Sequence, residues 1–491
     1  MRLTSLPLSV FRSAICLALV SCAFNFTGCN DAEMSSLKNE LGQQKKRADA
    51  FQEDAKKARS EVEAARDRAD QAVAESDNLK KEIEGLKNQI DEINGIKQLQ
   101  ELGAVIKRNS NGNVVSFDMM SVQSFTNEQL EPLKNFKSVE QVYLSGPSVN
   151  VGTFEILAEL PKLRMLEASV SGVNTECLEK LSSLKELTYL QLKRTSVTDD
   201  SMAVLAKFPK LQQIRVGQTK VGDEGLKHLQ NLKSLTALDL TDCNKVSDVG
   251  LSYLVDLPRL KMLKVWGKAV TNKGLEYVGE MSSLEVLGMN DTAIDDEGMF
   301  SINSLTKLKE VYFARTAVAD FGIMQLTGST NMRKMVLRDT NITDEALKFI
   351  GKMKNLDTLD LSECSSPGPT DEGIKELVGL SKLKDINLWS TKISDGAVEA
   401  ISQMKTVTRL NLDATQITDN SMQHLKNMPQ LNWLHIGSTK VTDKQISSLY
   451  GLNNLKYINL SFTEASFSDA VDDIYDKLKE STAKGCAIVG L

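Results

Sequence analysis

The pattern LxxLxL restarts fourteen times along the second part of the chain, at Val139, Leu163, Leu187, Leu211, Leu235, Leu260, Leu284, Leu308, Met332, Leu356, Leu383, Val407, Leu431 and Leu455. The interval is 24 residues, apart from a step of 25 before Leu260 and one of 27 before Leu383. A register this regular restricts the fold to a stack of like units, because one unit cannot bury its own apolar face and a column of them can. The unit from Leu187 to Lys210 shows the physics. Alternating Leu190 and Leu192 mark a short strand, Val197-Thr198-Asp199 supply a turn and a helix start, and Met202, Leu205 and Phe208 recur at helical spacing. Strand, turn, helix and return then repeat.

At the two ends the register breaks. Ala104 to Arg108, the turn Asn109-Ser110-Asn111-Gly112 and Val114 to Met119 predict a β-hairpin that opens an irregular first repeat and caps the N-terminal edge. Ser466 to Glu480 predicts a closing helix, and the insertion Ser365-Ser366-Pro367-Gly368-Pro369-Thr370 predicts a bulge from the rim.

The residues after each strand carry a family signature. Thr219, Val221 and Asp223; Thr292, Ile294 and Asp296; Thr340, Ile342, Thr343 and Asp344; Thr391, Ile393 and Asp395; Thr415, Ile417, Thr418 and Asp419; and Thr439, Val441, Thr442 and Asp443 stand at equivalent places in their units. In this the chain resembles the leucine-rich-repeat family, in the subtype LxxLxLxxTxITDxGLxxLxxL of bacterial repeat proteins, F-box-associated repeats and GALA effectors. The resemblance implies an α/β solenoid, a horseshoe with parallel strands on the concave face and helices outside. It says little of function, because the scaffold serves many partners. No F-box-like segment precedes the repeats, so the ubiquitin-ligase role of eukaryotic relatives is not expected.

Residues 1–28 combine Arg2 and Arg12 with an apolar run from Ala14 to Phe24 that is too short to span a bilayer, the pattern of a secretory signal. Phe26-Thr27-Gly28-Cys29 resembles a bacterial lipobox, with Phe26 in place of the usual Leu; the resemblance implies cleavage before Cys29 and lipid attachment to its sulfur. Residues 29–36 would tether the anchor. From Leu37 to Ile93 apolar and small residues alternate at spacings of four and three with no proline, which predicts a coiled-coil stalk over 37–95, roughly 85 Å long at 1.5 Å per residue. Its orientation and strand number are open at this point: antiparallel or trimeric association, or a single solvated helix. Asn94-Gly95 reads as the helix stop. The remaining divisions are a cap and irregular first repeat over 96–138, repeats over 139–465 and a C-terminal cap over 466–491.

In an LxxLxL strand the leucines face inward, so the third, fifth and seventh positions project from the concave surface. All three tryptophans, Trp266, Trp389 and Trp433, fall there. Trp389, Arg409, Asn411, Asp413, Trp433, His435 and Tyr457 occupy four consecutive units near the C-terminal end. Together with Trp266 they form the expected contact surface for a protein, peptide or glycan, solvent-facing aromatics being enriched at binding sites. The alternative is that these rings only stack on one another along the sheet.

Other chemistry is poorly supported. The three histidines, His228, His424 and His435, cannot converge with a nucleophile across such a surface. Acid pairs such as Asp199-Asp200 and Asp295-Asp296 stand at helix starts, where capping explains them. Seven cysteines are scattered without metal-ligand or disulfide spacing. No catalytic residue, metal site or cofactor is expected, and with 59 basic against 65 acidic residues no nucleic acid. The expectation is a lipid-anchored protein of the bacterial cell envelope, or a secreted one, that binds through its concave face and self-associates through its stalk. The competing expectation is an envelope spacer or oligomeric scaffold acting through the coiled coil.

Overall fold

A computed structural model describes residues 31–490, with the exception of 365, 367, 468 and 469. The signal segment, Cys29 and two residues of the rim insertion therefore lie outside the described residues. The chain divides after Gln89 into two compact units.

The first unit belongs to one long helix, α1 (Asp31–Glu101), whose residues up to Gln89 are solvent-exposed wherever described. The helix passes through Asn94-Gly95 instead of stopping there. The physical reason is close packing: a Cβ on Gly95 would stand 2.8 Å from the Pro132 side chain and 3.3 Å from the Phe136 ring. Two residues of the last turns, Ile96 and Leu99, enter the core of the second unit. The helix ends six residues later than the sequence suggests, where Gly103 N–H donates to Gln100 and Ala104 N–H to Leu99, a Schellman closure.

The second unit is a seventeen-stranded sheet. Its first strand, Val105–Arg108, pairs antiparallel with Val114–Asp118, as the hairpin reading expects. From Val114–Asp118 onward each strand pairs in parallel with the next in sequence, through to Ala487–Val489. The last strand was not legible as one. It follows the closing helix, found at Val471–Ser481, which buries Ile474 and Leu478.

Most strands are three residues long, with a buried aliphatic centre and half-buried flanks, as in Tyr189–Gln191. What ends them is a backbone device common to all fourteen units. The eighth residue of each has positive φ, between 51° and 61° in the twelve units where it is not glycine. That conformation costs an L-residue roughly 1–2 kcal/mol. In most of the twelve it persists because the N–H it aims sideways is bonded: Arg315 N–H donates to the Arg338 carbonyl at 2.8 Å and Ser390 N–H to the Asp413 carbonyl at 2.9 Å, each in the following unit. The next residue, often Thr, closes the turn by donating its hydroxyl to the carbonyl three residues back, as Thr340 does to Leu337 at 2.6 Å. Cys243 and Cys364 fill the same place and are buried; their thiols donate to carbonyls of the preceding unit, Val216 and Leu337, and burial pushes both pKa values up.

The aspartate of the signature joins units. Asp248 accepts both the N–H and the hydroxyl of Thr271 in the next unit, at 2.8 and 2.7 Å, while Thr271 caps its own helix through Lys273 N–H. The same bonds recur from Asp320 to Thr343, Asp395 to Thr418 and Asp419 to Thr442. Of the acid pairs noted in the sequence, Asp295 does cap its helix, whereas Asp199 and Asp296 hold backbone N–H groups of the following unit, Gly222 and Ala319. One contiguous hydrophobic core runs from Ile96 to Leu478.

Candidate binding surface

Parallel register places equivalent residues side by side. Arg409 is opposite Trp433, and Trp433 is opposite Tyr457; one step along, Asn411, His435 and Asn459 align. The Trp433 and Tyr457 rings stack at 5.0 Å between centroids with only 5° between their planes. The Arg409 guanidinium covers Trp433 at 4.8 Å and is itself held by Asp385 at 3.1 Å. His435 meets Trp433 edge-on at 5.9 Å. Its Nε2 lies 3.7 Å from the Asp413 carboxylate. Burial pulls the His435 pKa down while Asp413 pulls it up, and burial prevails.

The eight residues expected to form the surface are thus not equivalent. Arg409, Trp433, His435, Tyr457 and Asp413 are brought together. Asn411 has a structural duty, its Oδ1 accepting the Asp413 N–H at 3.1 Å. Trp389 belongs to a second group at the other end of the strands, under the Arg338 guanidinium at 5.0 Å, with Arg338 bound to Glu363 at 2.6 Å. Trp266 stands apart from both, half-buried, and its indole Nε1 is buried without a hydrogen-bond partner. None of the three tryptophans is in the hydrophobic core.

Sequence reasoning missed the charged row beside the aromatics. Asp291 and Arg315 form a two-bonded ion pair at 2.5 and 2.6 Å, which lowers the Asp291 pKa, and Glu363 holds Arg338. Asp291, Arg315 and Glu363 are eighth-position residues of their units, and only the third, fifth and seventh were expected to face the concave side. The detectable signal was that charged residues crowd this position from Asp291 to Glu363. Between the two groups and the N-terminal end, Lys264 and Lys334 both approach the Tyr312 ring, at 4.5 and 5.3 Å. Tyr143 and Tyr189 are tied to polar neighbours on their own sheet, Tyr189 hydroxyl to Gln191 at 2.7 Å.

Among the described residues no three His, Cys, Asp or Glu side chains are grouped as a metal site. The second unit is a solenoid that presents a continuous sheet surface carrying aromatic and cationic clusters, among them those of Trp389, Trp433 and Tyr312. A family model described as a leucine-rich repeat region matches residues 219–489, and the chain belongs to that family. Leucine-rich-repeat proteins are typically binding scaffolds.

Among solved structures, an internalin from Listeria monocytogenes is similar at 21% identity and TM-score 0.44, covering 77% of this chain and 91% of that one. A leucine-rich-repeat protein of Leptospira interrogans is similar at 17% identity and TM-score 0.48, covering 76% and 94%. The yeast complex of Rad7 and Elc1 is similar at 19% identity and TM-score 0.47, covering 70% and 89%. No curated protein matches the chain.

Proposed function

We propose that the protein is a lipid-anchored recognition module of the bacterial cell envelope, which takes a protein or peptide partner against the C-terminal part of its concave sheet. The observation that carries this reading is the open Arg409, Trp433 and Tyr457 stack. The outer edges of these half-buried stacked rings, beside an arginine and a His–Asp pair, supply the apolar contact and the polar anchoring that interface hot spots need. The early arginines, short apolar run and Phe26-Thr27-Gly28-Cys29 support export and a lipid on Cys29. Among the described residues no helix is long and apolar enough to cross a membrane.

A photo-crosslinking residue at Lys456, beside the stack, in intact cells provides the test. A defined adduct that disappears with Trp433→Ala and persists with Tyr189→Ala supports the reading; an adduct indifferent to Trp433, or one made of glycan, overturns it. Loss of incorporated fatty acid in Cys29→Ser tests the anchor separately.

A second reading, a spacer working through α1, is favoured by the apolar residues exposed along that helix, among them Leu79, Ile83 and Leu86.

A further inference from the structure

The helix α1 carries an unpartnered seam. Leu41, Val62, Ile83 and Ile90 share one heptad position, a, and Phe51, Leu79, Leu86 and Ile93 share d; every one is more than two-fifths exposed. The seam ends where the next apolar residues, Ile96 and Leu99, leave the register and are buried in the chain's own core. A helix that exposes its apolar stripe for this length needs an occupant.

We propose that the occupant is a second copy of the same chain, in a two-stranded, parallel and in-register coiled coil; this inference rests on the stalk reading given above. Three observations choose it. Isoleucine at a with leucine at d, as in Leu79, Ile83, Leu86 and Ile90, is the combination that favours two parallel strands.

Charge selects the direction. In a parallel pair the residue before each a position faces the residue after the following d position, five residues further on in the partner. Next to Ile83 this matches Glu75 with Lys80 and Glu82 with Lys87. Nearer the N-terminus it matches Glu40 with Lys45, Asp54 with Arg59 and Glu61 with Arg66. The other such pairs, Arg47 with Gln52, Arg68 with Val73 and Gln89 with Asn94, bring no like charges together. Lys80 has an exposed ion pair with Asp77 at 3.0 Å within its own helix, a weak contact that it can share or leave.

An antiparallel pair would instead set the basic column of Lys38, Lys45, Arg59, Arg66, Lys80 and Lys87 against itself, and the acidic column against itself. The third observation is shape. The middle of the seam is small, with Ala55, Ala58, Ala65, Ala69 and Ala72, so the two helices approach closely there and the ends supply the apolar burial.

The consequence is a dimer whose two lipid-bearing ends point the same way, which gives two anchors on one membrane and a bivalent display. The test uses the full chain in detergent. Light scattering is expected to give twice the 54.1 kDa chain mass, before allowance for any cleaved signal. Ser76→Cys, at an a position and in a Cys486→Ser background, is expected to form an interchain disulfide under mild oxidation that Cys486→Ser alone does not form; Cys177, Cys243 and Cys364 are buried, and the control accounts for Cys16, Cys22 and Cys29.

Glu75→Lys with Glu82→Lys is expected to weaken the dimer by about tenfold or more, and adding Lys80→Glu with Lys87→Glu to restore it. A monomer, a trimer, a dimer without the Ser76→Cys cross-link, or a charge reversal that does nothing or is not rescued would overturn the proposal. None of these outcomes touches the concave surface, whose crosslinking is read equally in a monomer.

Discussion

The Asp223 carboxylate holds Ser247 of the next unit twice, accepting its backbone N–H at 2.8 Å and its hydroxyl at 2.5 Å. This side chain therefore does the work of a rivet between units, and it explains why the signature keeps an aspartate where an ordinary helix start would tolerate several residues.

Asp223→Ala is expected to destabilise the chain by about 1–3 kcal/mol, the cost of stranding a partly buried N–H and hydroxyl. Asp223→Asn should cost less, because an amide oxygen can still accept the N–H, as Asn272 does from Asp295 at 3.1 Å. Urea unfolding followed by circular dichroism measures both.

Gly373 packs beneath the equivalent aspartate, Asp344, whose Oδ1 would be only 2.2 Å from an added Cβ. Gly373→Ala should therefore cost about 1–3 kcal/mol through a clash with a carboxylate held in place by the Thr370 N–H and hydroxyl. Gly379→Ala, whose Cβ would meet only the flexible end of Lys354 at 3.1 Å, should change the unfolding midpoint little. Equal losses for the two would refute the explanation.

Val170 is β-branched and sits at φ 52°. Val170→Asn keeps the N–H that donates to the Lys193 carbonyl and relieves the side-chain crowding at positive φ, so stability should rise by about 1 kcal/mol and the unfolding midpoint with it. A fall in the midpoint would show that the valine packs usefully despite its half-exposed position.

His435 should titrate below its usual value of 6.5, because burial disfavours the imidazolium more than Asp413 favours it. Asp413→Asn removes the favourable charge and should lower the pKa further. The sign for stability follows. Above 6.5 the imidazole is neutral folded or unfolded and contributes nothing to the difference. As pH falls beneath 6.5 the unfolded chain takes up the proton first, so stability is lost in that window. NMR titration of the ring proton, assigned with His435→Gln, reads the pKa directly.

Trp433→Ala should weaken partner binding by roughly thirtyfold or more if the ring is a hot spot, with a small effect on folding because the side chain is half-buried on the sheet surface. Trp266→Phe should leave binding unchanged, since that residue belongs to neither cluster. Titration calorimetry or fluorescence with the crosslinked partner separates the two.

Much of this architecture was legible from residue spacing. The 24-residue interval places Leu190, Leu287 and Leu434 in the core, and strands, turns and hairpin follow because periodic burial leaves few alternatives. The eighth-position turn was not legible, since Val170, Arg194, Asp291, Ala414 and Phe462 share one backbone conformation and no side-chain property. At Val170, Arg194, Asp291 and Ala414 it is held by the next unit's carbonyl, a partner outside the local sequence. Gly95 was misread for a similar reason: its role lies in contact with Pro132, far along the chain. The surface was legible as a set of outward positions, but not its division. That depends on which way Arg338 and Arg409 lean, and so on Glu363 and Asp385.

The joints between units are chemically interchangeable. Excising residues 211–234 would bring Ser247 to the Asp199 carboxylate in place of Gly222, the backbone N–H donor kept and a hydroxyl donor added. The protein can therefore lengthen or shorten by whole modules without inventing new contacts, so its reach is free to drift in evolution while the aromatic stack keeps a constant distance from the C-terminal cap.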